Sequence, residues 1–149
     1  MVAPGHRLES SAGAVRFLGR VDDPTLAQLY AGAEATLVAS HVEGFGLPVL
    51  ESMMCGAPVV AADILSLRQI CGDAALFVDP RDPRGLREAL EALIAEPYLR
   101  KDFAERAQRR AADYSIGRAA RSYRRLYERL TGDRPRLPGR DLSAEESQS

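Results

Sequence analysis

Ala35-Thr36-Leu37-Val38-Ala39-Ser40-His41-Val42-Glu43-Gly44-Phe45-Gly46-Leu47-Pro48-Val49-Leu50-Glu51 is the stretch that decides the fold. Ala35 to Ser40 is a short, continuous apolar run, the pattern of a strand covered on both faces. A glycine-rich loop follows. Leu47-Pro48 then opens a helix, with proline in its first turn, and Gly56 stops it. Outward from this unit the pattern repeats. Downstream, Pro58 to Ala62 predicts a strand, Leu65 to Cys71 a short helix ended by Gly72, and Ala75 to Val78 a further strand closed by Asp79-Pro80. Upstream, Val15 to Gly19 predicts a short strand. Asp23-Pro24 starts a helix that lines up Leu26, Leu29, Tyr30 and Ala33 on one stripe. Strand and helix in alternation, joined by short loops, argue a parallel α/β sheet with right-handed crossovers.

After Val78 the strands cease. Asp82-Pro83 opens a helix with Leu86, Leu90, Leu93 and Ile94 on one face. Pro97 separates it from a second, where Phe103, Ala107, Ala111 and Tyr114 align. Beyond Ser115 and Gly117 a last helix aligns Ala119, Tyr123, Leu126, Tyr127 and Leu130. These stripes read as core faces. The organisation is therefore a frayed start over 1–14, one domain over 15–130 and a disordered tail over 131–149 rich in Pro, Gly, Arg, Glu and Ser. The fold class is α/β: a partial Rossmann-like parallel sheet with a helical C-terminal extension.

The 149 residues suffice for one ordinary domain, and 46% hydrophobic with 28% charged side chains is a globular balance. It excludes a wholly disordered chain, a collagen-like repeat and a coiled coil. No apolar run is long enough to cross a membrane, and Met1 to Ala14 lacks the apolar core of a secretory signal. Cys55 and Cys71 have no metal-ligand spacing and fit small buried groups in a reduced, cytoplasmic chain. Charge is uneven. Residues 1–97 carry 7 basic and 13 acidic side chains, net −6, whereas residues 98–140 carry 13 basic and 5 acidic, net +8. A solvated helical face is the favoured reading of that basic block. Peripheral contact with an anionic membrane, at its inner face, is the second. Nucleic acid is not expected, because the tyrosines of the block already serve the helical stripes.

The chemistry concentrates at Glu43 to Glu51. The loop follows the carboxyl end of a parallel strand, the edge where open α/β sheets bind ligands. Gly44 and Gly46 let the backbone approach a ligand closely. The helix N-terminus offers unpaired N–H groups and a positive dipole end, which suit a phosphate. The dipole is worth only roughly 0.3–1 kcal/mol when exposed, so several N–H groups must share the work. Glu43, before the loop, and Glu51, just past Pro48, are acceptors for sugar or ribose hydroxyls. A phosphate cradle between two hydroxyl acceptors describes a nucleotide-sugar site. The blander readings are a loop acid and a helix acid favoured by the dipole. Phe45 reads as a core plug that offers only its backbone to a ligand, and His41 as loop polarity.

At these residues the chain resembles the C-terminal, donor-binding half of the GT-B-fold retaining glycosyltransferases of the group 1, or family 4, type. The family's E-x7-E motif matches Glu43 to Glu51. Val15 to Gly19, Gly56-Ala57-Pro58-Val59-Val60, Gly72-Asp73-Ala74-Ala75 and Asp79-Pro80 match in the family's order and spacing, over roughly residues 13–130. The resemblance implies that Glu43, the catalytic candidate, positions the donor sugar through its hydroxyls. It implies that backbone N–H groups around Phe45, Gly46 and Leu47, with Gly44 before them, hold sugar and diphosphate. Glu51 would bind the ribose hydroxyls, and Arg20-Val21 the base through backbone groups. It implies retaining transfer of a glycosyl group from a nucleotide-diphosphate sugar to an acceptor hydroxyl, with no bound metal and no separate cofactor.

Some features depart from the family. Leu67-Arg68-Gln69-Ile70 stands where Leu-Pro-Glu-Val is usual, and a packing change is expected there. The family's N-terminal acceptor domain has no counterpart. Nor do the two strands that carry the Arg and Lys neutralising the diphosphate; only Arg7 precedes Val15. In the family's sheet order, 3-2-1-4-5-6, those strands are central. The Val15 strand is then expected to lack a neighbour, and the Ala35 strand to expose an edge and an apolar flank. A marginal isolated chain, inactive without an N-terminal domain or partner chain, follows. The alternative is a non-catalytic remnant, or the binding half of a split two-chain enzyme.

Overall fold

A computed structural model describes residues 15–131; residues 1–14 and 132–149, which hold the expected frayed start and nearly all of the expected tail, lie outside it. Three short strands form one parallel sheet in the order β1-β2-β3: β1 (Thr36–Val38), β2 (Val59–Ala62) and β3 (Ala75–Val78). Thr36 pairs with Val59 and Val38 with Ala61; Val59 pairs with Ala75 and Ala62 with Val78. Crossovers between them are α2 (Leu47–Met54) and α3 (Leu65–Cys71). Helix α1 (Asp23–Ala31) precedes the sheet, and α4 (Pro83–Ala95), α5 (Pro97–Ala111) and α6 (Ile116–Thr131) follow it.

β2 is buried along its whole length, which is why it reads as an unbroken apolar run. Its side chains serve two cores. Val59 and Ala61 meet Val49, Leu50 and Met53 of α2, Leu67, Ile70 and Cys71 of α3, and Ala107 and Ala111 of α5. Val60 faces the other way, with Val78, Leu93 and Phe103. A hydroxyl pair fastens α2 to the sheet: the buried Ser52 Oγ donates to Oγ1 of the half-buried Thr36 at 2.7 Å.

The helix ends obey local rules. Asp82 caps α4 by accepting from the Arg84 amide at 3.0 Å, with Pro83 in the first turn. Asp22, one residue before the Asp23 expected, caps α1 by accepting from the Thr25 amide at 2.9 Å. Arg100 Nη1 donates to the Leu93 and Ile94 carbonyls at 3.2 Å, closing the C-terminal turn of α4.

Several expectations are corrected. Val15 to Gly19 is not a strand: it makes no ladder, and Val15, Phe17 and Leu18 are exposed. An extended segment becomes a strand only beside a partner, and no described strand lies next to it. As expected, β1 pairs on one side only among the described residues, and Leu37 on its flank is 40% exposed. The α6 stripe of Ala119, Tyr123, Leu126, Tyr127 and Leu130 is no core face, because α6 has no buried residue. Its periodicity makes it amphipathic, but no described element faces that stripe. Cys71 is buried as expected, while Cys55 is only half-buried.

Candidate functional site

The loop after β1 enters α2 through Gly46, the N-cap, at φ +76°. Only glycine takes that left-handed backbone freely. The position is also tight. A Cβ there would lie 2.7 Å from Leu67 Cδ2 and 3.2 Å from Ile70 Cδ1. So α3 forms the floor under the loop, and the Gly46 carbonyl accepts the Val49 and Leu50 amides at 3.1 Å. No side chain caps the amino end of α2. Pro48 has no N–H and Val49 and Leu50 donate to Gly46, so the Leu47 amide is the first-turn donor left for an acceptor, beside the loop amides before it. Gly44, by contrast, has open space around it.

Glu43 is half-buried, and Ser40 Oγ donates to its Oε1 at 3.3 Å. Phe45 is not the core plug expected; it is 52% exposed. The tight place belongs to Gly46, and the Phe45 ring instead meets Tyr114 edge-on, with centroids 6.3 Å apart and planes at 78°. Leu47 is exposed at the first position of the helix.

Glu51 lies one turn further on, in a groove between α1 and α2 of about 330 Å³ lined also by Asp23, Leu26, Ala27, Tyr30, Met54 and Cys55. Burial and then the Glu51 charge push the Tyr30 hydroxyl above the usual phenol range, so carboxylate and phenol share one environment. Arg20 and Val21 form a shallow concavity of about 470 Å³ with Asp22, Asp23 and Pro24. Asp23 belongs to both hollows. The structure thus joins Arg20-Val21 to Glu51 through the start of α1. Glu43 lines neither hollow and sits apart in the loop.

Tyr30 and Met54 were not singled out as site residues from the sequence, and Cys55 read only as a small buried group. Tyr30 lay in the apolar α1 stripe; only the packing of α1 against α2 turns it toward Glu51. Where Leu-Pro-Glu-Val was missing, Arg68 lies within α3. Its Nε and Nη2 donate to the two Asp63 carboxylate oxygens, the Nη2 contact being 2.7 Å, and its guanidinium lies 4.6 Å over the Phe77 ring. No group of three or more potential metal-ligating side chains occurs among the described residues, and no described helix is long and apolar enough to cross a membrane.

Fold and loop define a class: an open parallel α/β domain with its glycine loop at the carboxyl end of a strand, entering a helix. Comparison with known proteins makes this specific. The family described as glycosyl transferases group 1 matches residues 9–110. The O-antigen chain mannosyltransferase B of Escherichia coli is 50% identical over 70 residues, which is 47% of this chain and 18% of that protein. The D-inositol 3-phosphate glycosyltransferase of Frankia alni is 39% identical over 115 residues, covering 76% of this chain and 28% of that one. The solved sucrose-phosphate synthase of Thermosynechococcus elongatus superposes with a TM-score of 0.70 at 30% identity, over 78% of this chain and 30% of that chain. The chain belongs to the group 1 glycosyltransferases and carries their GT-B type of α/β fold. It spans less than a third of the length of each of these three proteins.

Proposed function

We propose that this chain binds the nucleotide-activated sugar donor of a retaining, metal-independent glycosyltransferase. The observation that carries the reading is the groove between α1 and α2, where Glu51 and Tyr30 meet and Asp23 leads on to Arg20-Val21. A nucleoside laid along it brings its ribose hydroxyls to the Glu51 carboxylate and its base to the Arg20-Val21 backbone. The diphosphate then falls toward the amides of Phe45, Gly46 and Leu47 at the α2 amino end. Glu43 takes hydroxyls of the sugar. In transfer, the bond from the anomeric carbon to the diphosphate oxygen breaks. A bond to an acceptor hydroxyl oxygen forms, the hydroxyl proton is released, and configuration is retained. The departing diphosphate needs cationic stabilisation, and the acceptor needs a surface of its own. The relatives are more than twice as long, and we assign both tasks to such additional sequence. The 149-residue chain alone is then a binder that does not turn over.

Titration calorimetry of the chain with UDP, GDP and ADP in turn tests this. One of them binds, and Glu51→Gln weakens it about ten- to a hundredfold, the worth of hydrogen bonds to a charged group. No binding of any of the three at millimolar concentration, or a silent Glu51→Gln, refutes it.

A further inference from the structure

The Phe45 ring meets something the donor reading does not use. Tyr114, in the turn after α5, presents its ring to Phe45 edge-on. Tyr114 is itself tied down. Its hydroxyl donates to the Gln69 carbonyl at 3.0 Å and accepts from Arg110 Nη2 at 3.0 Å. Arg110 spans the same place: Nη2 donates to the Gln69 carbonyl at 2.7 Å and Nε to the Ile70 carbonyl at 2.8 Å. Its guanidinium carbon lies 5.2 Å from the Tyr114 ring centre. These carbonyls end α3, whose Leu67 and Ile70 side chains floor Gly46. Arg110 thereby joins two supports of the loop, one under Gly46 and one beside Phe45.

We propose that Tyr114 is a positioning residue: braced by Arg110 on the C-terminal turn of α3, it holds Phe45 and so sets where the amides of residues 44–47 point. The proposal rests on the donor reading for its purpose, but its geometry is testable without a ligand. An aromatic edge contact gives a modest coupling beyond its buried area, equivalent to roughly a two- to tenfold change in an equilibrium.

Hydrogen exchange of the 149-residue chain, read residue by residue by NMR, compares wild type, Tyr114→Leu and Tyr114→Phe. In Tyr114→Leu the amides of Val49 and Leu50, which bond to the Gly46 carbonyl, exchange roughly two- to tenfold faster, while those of β2 keep their rates. Tyr114→Phe keeps the ring but loses the hydroxyl bonds to Gln69 and Arg110, and its rates fall between the two. Whichever of UDP, GDP and ADP the wild type binds loses affinity in Tyr114→Leu by a similar factor. Val49 and Leu50 amides unchanged in Tyr114→Leu, or accelerated only in step with β2, overturn the proposal. Should Tyr114→Leu lose its fold, Phe45→Leu decides from the other side. It shifts the Tyr114 ring protons and accelerates the same amides; unshifted ring protons overturn the brace. If none of UDP, GDP and ADP binds the wild type, the donor reading fails, and the exchange rates still judge the brace.

Discussion

Gly46→Ala, with Gly44→Ala as its twin, isolates what the loop into α2 demands. The two glycines lie two residues apart and differ in both relevant respects. Gly46 holds φ +76° and would drive a Cβ to 2.7 Å from Leu67 Cδ2 and 3.2 Å from Ile70 Cδ1. Gly44 has neither a positive φ nor a neighbour within 4 Å of its Cβ position. A left-handed backbone costs a residue bearing a Cβ about 1–2 kcal/mol. Forcing one more carbon against buried side chains adds about 1–3 kcal/mol. Leu67 is fully buried and Ile70 nearly so, so neither has free space to retreat into. Gly46→Ala therefore destabilises by about 2–5 kcal/mol, and Gly44→Ala by less than about 0.5 kcal/mol, as a surface change does. Urea unfolding followed by circular dichroism measures both. With a slope of about 2 kcal/mol per molar, Gly46→Ala lowers the midpoint by about 1–2.5 M. Equal midpoints for the two variants would refute the argument, for then the loop yields and α3 is not its floor. A Gly46→Ala chain that stays folded should also lose nucleotide affinity, because the strain is relieved by moving the amides of residues 45–47.

The two cysteines should part in native labelling. Burial pushes the Cys71 thiol up to about 11, with Arg110 opposing it only partly, so at neutral pH it resists a thiol reagent until urea is added. Cys55 lines the α1–α2 groove and labels first, and a bulky label there blocks nucleotide binding; reaction of both thiols at one rate in the native chain would contradict this burial. The Asp63 carboxyl is held below the usual aspartate range by its hydrogen bond to Arg68. A lowered folded value means the contribution to stability is present above the unfolded value and is lost as pH falls through the folded one. The melting temperatures of wild type and Asp63→Asn should differ slightly at pH 7 and converge in acid; a gap that widens in acid reverses the sign and refutes the pairing. The difference is small because both groups are exposed.

Much of the fold was legible because its signals are local. Asp82-Pro83 announced α4, and Pro48 followed by Gly56 bounded α2 within two residues. Pro58 to Ala62 announced a doubly buried strand. The site was legible where backbone chemistry made it, at Gly46 and the amino end of α2. Its side-chain half was not. Tyr30 shared a stripe with Leu26 and Leu29, and nothing in that spacing distinguishes a wall of a groove from a core residue. Tyr114 is 69 residues from Phe45 in the chain, and no periodicity links the two.

The sequence by itself determined where most of the helices and the β2 and β3 strands lie, that the sheet is parallel, and that a glycine loop with flanking carboxylates enters a helix. These follow from caps, prolines, glycines and apolar runs, whose energies act within a few residues. Tertiary structure alone decided which apolar faces are covered. Val15 to Gly19 remained outside the ladder, the α6 stripe stayed exposed, Phe45 turned to Tyr114, and Gly46 took the space under the loop. A stripe or an extended run only offers a surface; whether it is buried depends on an element brought to it from elsewhere in the chain, and that pairing has no local signature.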